Sequence, residues 1–113
     1  MFKKWIGIAA TLALFVGDVY AACGGHSCVA EYVDRLYVNS DSGLVYVATS
    51  GDEAQLDCSA VSDVYVTLDL AEPGASAIYS SLLSAQVSNK KVQVRIVNGS
   101  AGCKVKYITI DRE

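Results

Sequence analysis

Ala75–Val97, ASAIYSSLLSAQVSNKKVQVRIV, is the stretch whose reading decides the fold. Ala75, Ile78, Tyr79, Leu82, Leu83 and Ala85 recur at helical spacing, with Ser76, Ser80, Ser81 and Ser84 over much of the remaining surface. That is the period of a helix with one buried stripe. Glu72-Pro73-Gly74 precedes it, and a proline near a helix start removes only an N–H that has no helical partner. Asn89 suits a left-handed C-terminal residue, and Lys90 and Lys91 suit the negative end of the helix dipole. The period then switches to two. Val92, Val94 and Ile96 lie on one face, and Lys91, Gln93, Arg95 and Val97 on the other, which predicts a strand. A serine-rich helix with one short stripe needs a sheet to hold it.

Upstream, Val64, Val66, Leu68 and Leu70 alternate with Tyr65, Thr67 and Asp69, a half-buried strand. Val29–Val38 is rich in strand formers, but its alternation breaks near Asp34-Arg35, which predicts a bulge and a bend. Asn39-Ser40-Asp41-Ser42-Gly43 is turn chemistry, so Leu44–Thr49 returns as a hairpin partner. Downstream, Asn98–Gly102 is a turn and Cys103–Ile110 the last strand. The order is β-β-β-α-β-β. It fits a mainly β, five-stranded OB-like barrel plugged by a helix between strands three and four. The alternative is an open antiparallel α+β sheet with one covering helix. Counting strands does not separate the two.

Residues 1–21 read as a signal peptide: Lys3 and Lys4, the apolar run Trp5–Val16, then Val19-Tyr20-Ala21 at the cleavage position. The apolar run is too short for a comfortable bilayer span, so no membrane span is expected after cleavage. Residues 22–113 then form one domain of about 92 residues, 113 less 21. A core of that size calls for staples. Cys23, Cys28, Cys58 and Cys103 are an even set in an exported chain, so two disulfides are expected, in a periplasmic or secreted bacterial protein. Three pairings exist. Cys23–Cys28 with Cys58–Cys103 is favoured, because the first pair is close in sequence and outside the strand pattern. A competing reading lipidates Cys23, although the usual Leu three places upstream is missing.

Nine acids and one base, Arg35, lie between Cys23 and Asn89, whereas six bases and two acids follow from Lys90. This is either ordinary solvated surface or two faces of opposite sign, which would favour head-to-tail association into a ring. An acidic, exported chain is not expected to bind nucleic acid.

No catalytic signature is present. His26 is the only histidine, in a lead that reads as surface. The cysteine spacing is not that of a zinc site, and neither metal nor cofactor is expected. Asp52, Glu53 and Asp57 could supply a carboxylate pair, but three acids on one loop read as solvated. Asn39, Asp41 and Gly43 echo a calcium loop without its closing Glu. Tyrosine is the compositional excess, seven in the chain. Tyrosines favour strands, and when exposed they suit sugar rings. Tyr65, Thr67 and Asp69 share one face, and they are the ligand-binding candidates.

Tyr79, Leu82, Leu83, Ala85, Lys91, Val92 and Val94 carry a resemblance. The segment is similar to the helix-to-strand part of binding subunits from bacterial A–B toxins of the subtilase-cytotoxin and pertussis-like type. There a Tyr-x-x-Leu-Leu-x-Ala helix precedes a short basic turn and a Val-x-Val strand. The likeness follows the chain in order over residues 29–110 and is specific over 78–96. It implies an OB fold, a pentameric ring with helices at its centre, and recognition of cell-surface glycans. No glycan-contacting motif of that family matches residue by residue, so no contact residue is carried over. The expectation is a non-enzymatic exported binding domain for glycan. The alternative is a protein-binding module, such as a hydrolase inhibitor or an envelope accessory protein.

Overall fold

A computed structural model describes residues 21–112; the segment 1–21 read as a signal peptide lies, apart from Ala21, outside the described residues. The fold is mainly β with one helix. β1 (Ala22–Gly24), β2 (Ser27–Asn39), β3 (Leu44–Thr49) and β4 (Val66–Asp69) precede α1 (Ala75–Ser88), and β5 (Lys91–Ile96) and β6 (Val105–Thr109) follow it. The sheet order is β4-β3-β2-β5-β6 with β1 beside β2, and every ladder is antiparallel.

β2 is long because it serves two half-sheets. Its first half pairs with β1 and β5, its second with β3. Two bulges bend it, one between Cys28 and Glu31 and one between Val33 and Arg35. The second has a simple cause. Val33 is buried and Leu36 packs on the core, three positions apart, and strict alternation would send one of them outward. The extra residue, Asp34, restores the period and turns Arg35 to the outer face.

The sheet does not close into a barrel. Its edge strands β4 and β6 meet only at a parallel bridge, Thr67 to Lys104, where the Thr67 N–H donates to the Cys103 carbonyl at 3.0 Å. The closed barrel is therefore corrected to the alternative, an open antiparallel sheet with one covering helix. The expected third strand is also shorter. Val64 and Leu70 are exposed rather than inward, because Val64 belongs to a tight turn and Leu70 follows the strand end.

α1 packs on the sheet through Ala75, Leu82 and Ala85, with Ile78 and Tyr79 half-buried. Leu83 is 40% exposed and Val87 78%. Adjacent helical residues point about 100° apart, so a helix lying on one side of a sheet buries Leu82 or Leu83, not both. Asn89 ends the helix in the left-handed region at φ 57°, and the Lys90 N–H returns to the Ala85 carbonyl. The core between helix and sheet is aliphatic: Val45, Val47, Val66, Leu82, Val92, Val94 and Ile96.

Two disulfides staple this core: Cys23–Cys28, across directly opposed positions of the β1–β2 hairpin, and Cys58–Cys103. Cys23 is thus paired, and its lead is a strand rather than a flexible tail. Two disulfides in so small a domain fit an oxidising compartment. No described helix is long and apolar enough to cross a membrane.

Candidate functional site

The hairpin register builds the site. Asn39 opens the β2–β3 turn and its Oδ1 accepts from the Asp41 N–H at 2.9 Å; Gly43, at φ 71°, closes it. Counting back from that turn pairs Asn39 with Leu44 and Tyr37 with Tyr46, and β4 then sets Thr67 opposite Tyr46 and Asp69 opposite Leu44. With side chains alternating, Arg35, Tyr37, Tyr46, Tyr65, Thr67 and Asp69 all belong to the outer face of this half-sheet.

Tyr65 is placed by a tight turn. Val61 and Tyr65 exchange two backbone hydrogen bonds of 3.0 Å, and Ser62 and Asp63 between them both take left-handed φ, 53° and 58°. Two successive non-glycine residues in that region carry a conformational cost that the surrounding structure must hold. The result brings three rings together. Centroids are 5.1 Å apart for Tyr37–Tyr46, 5.9 Å for Tyr46–Tyr65 and 6.2 Å for Tyr37–Tyr65. The last two pairs are edge-to-face, a favoured quadrupole arrangement. Arg35 Nη1 donates to the Tyr65 hydroxyl at 3.1 Å, which fixes the ring from outside. Tyr37 remains 48% exposed. Because the rings are mutually inclined, they form a faceted apolar surface edged with hydroxyls, not a flat platform.

Of the three residues expected to share this face, only Tyr65 joins the cluster. Thr67 is 8% exposed, and its hydroxyl donates to the Gly102 carbonyl at 2.9 Å, a structural duty. Gly102 must be glycine: its φ is 82°, and a Cβ there would come within 3.3 Å of Thr67 Oγ1. Asp69 is half-buried and accepts from the Ala71 N–H at 2.9 Å. Thr67, Asp69 and Tyr46 instead line a neighbouring groove of about 430 Å³, between β4, the start of α1 and β6. The sequence reading left Tyr37, Tyr46 and Arg35 unselected. Pairing across the Asn39–Gly43 turn would have found the two tyrosines.

The other candidates take structural roles. Asp52 caps the short 3₁₀ turn Glu53–Gln55, and Asp57 accepts from Asn98 Nδ2 at 2.9 Å. Glu53 is not solvated, as its loop suggested, but 2% exposed. Its carboxylate accepts from the N–H and hydroxyl of Thr49. Burial raises its pKa, the Thr49 donors oppose the shift, and Glu31 adds a small repulsion in the same direction as burial. Cys23, Cys28 and Glu53 bring ligand-type atoms within 4.8 Å of one another, but the sulfurs are bonded to each other and are not thiolate donors. His26 is exposed in the β1–β2 turn.

Comparison with protein-family models, curated proteins and solved structures finds no match.

Proposed function

We propose that this chain is an exported binding domain, not an enzyme, that recognises carbohydrate through Tyr37, Tyr46, Tyr65 and Arg35. The observation that supports this is the three-ring cluster on the outer face. Ring faces stack on the C–H faces of sugars, and phenol hydroxyls meet sugar hydroxyls. Such groups hold a ligand rather than break its bonds. The inclined rings suit a branched or terminal sugar over a flat polysaccharide surface.

A ring of copies is proposed on the helix-to-strand likeness over residues 78–96 alone, since the sheet is open between β4 and β6. The paired cysteines support a periplasmic or secreted location. Screening the mature domain on a glycan array, beside its Tyr37→Ala variant, tests the ligand class. Wild-type hits that the variant loses support it, and an array without hits counts against it. Mass measurement in solution tests the ring, which a strictly monomeric species at high concentration removes.

A further inference from the structure

The sheet has an open seam between β4 and β6. β4 and β6 each have a ladder on one side only, and they touch at the Thr67–Lys104 bridge. Continuing that register would set Asp69 opposite Lys106, yet no ladder forms there among the described residues. The seam opens instead into the groove of about 430 Å³, within the range of ligand sites. Its walls differ in sign. Lys104 and Lys106 stand exposed on the β6 wall, with Asp69 and Glu72 on the β4 side. Its floor is apolar, with Leu68, Ile78 and Val105 among the lining residues. Unpaired strand edges are templates for another chain; Lys104 and Lys106 guard this one against an uncharged strand and leave it open to one of complementary charge.

We infer that the seam accepts an extended peptide segment of a partner protein as an added strand along β6. Backbone pairing supplies the affinity, and side chains at alternate positions supply the selection. The segment is one whose inward residues are aliphatic, facing Leu68, Ile78 and Val105. Its outward residues carry charges of both signs, a carboxylate toward Lys106 and a cation toward Asp69. The groove shares only Tyr46 with the tyrosine cluster.

The probe is a capped synthetic peptide with valine on one face and alternating glutamate and lysine on the other. Titration into the full mature domain, followed by amide hydrogen exchange, reads both affinity and place. The inference expects saturable binding, slowed exchange of the Val105–Thr109 amides, and at least a tenfold loss when the peptide backbone is N-methylated on one edge. Lys106→Glu should weaken the peptide while Tyr37→Ala leaves it unchanged, so the inference stands or falls apart from the glycan reading. Absence of saturable binding overturns it. So does protection confined to other strands, or equal binding of the N-methylated peptide.

Discussion

The two disulfides close loops of very different length, and this makes a quantitative prediction. Cys58 and Cys103 are 45 residues apart, Cys23 and Cys28 only 5. On the chain-entropy model the longer loop contributes about 4 kcal/mol and the shorter about 2 kcal/mol. Each pair contains one fully buried cysteine, Cys103 and Cys28, so the packing lost on replacement by alanine is similar and largely cancels in the difference. The double variant Cys58→Ala/Cys103→Ala should therefore be about 2 kcal/mol less stable than Cys23→Ala/Cys28→Ala. For a domain of this size that is a melting difference of about 8–16 °C. Equilibrium urea unfolding without added thiol measures it, with equal slopes as the check that both variants unfold as one unit. Equal losses, or a greater loss for the short loop, would refute the entropic reasoning and place the stabilisation in local contacts.

Other consequences follow from individual side chains. Leu82→Ala should cost about 2–5 kcal/mol, since Leu82 is wholly buried, whereas exposed Leu83→Ala should stay within about 0.5 kcal/mol; thermal melts that show equal losses would mean the helix is rotated. Gly51→Ala should destabilise by about 1–3 kcal/mol, because its Cβ would run into Glu31 Oε2 and lie 2.6 Å from Cys23 Sγ. A melting temperature unchanged by that substitution would contradict the close approach. Glu53 has a folded pKa raised above its ordinary 4.5, so the fold binds that proton more tightly than the unfolded chain. Its contribution is complete below the ordinary value and is lost as pH rises through the raised one. Glu53→Gln, neutral throughout, should thus gain stability relative to wild type across that window, and parallel urea midpoints over the same pH series would exclude the burial effect.

The helix and the strands around it were legible because their periods are strong and local. The Asn39–Gly43 turn and the Asp34 bulge were legible for the same reason, and the cysteine pairing followed from spacing and compartment. Closure was not legible. Whether β4 and β6 share a ladder or a single bridge depends on how far two bulges bend β2, which no periodicity records. Burial was misread where a side chain serves another element. Thr67 sits on the outer face by alternation but is covered by the Gly102 segment, and Glu53 turns inward to satisfy the Thr49 N–H. The tyrosine cluster was half legible: the excess was evident and the hairpin turn pairs Tyr37 with Tyr46, but the left-handed turn at Ser62-Asp63 that brings Tyr65 to them leaves no periodic signal.

The claim on which the functional account rests is that the outer face of β2, β3 and β4 holds a sugar. Two-dimensional NMR of the mature domain, titrated with a glycan selected on the array, tests it at residue level. The account predicts shifts concentrated at Arg35, Tyr37, Tyr46 and Tyr65 that vanish in Tyr37→Ala. Shifts gathered on α1, on β5, or around the Cys23–Cys28 hairpin, with those four residues unmoved, would contradict it.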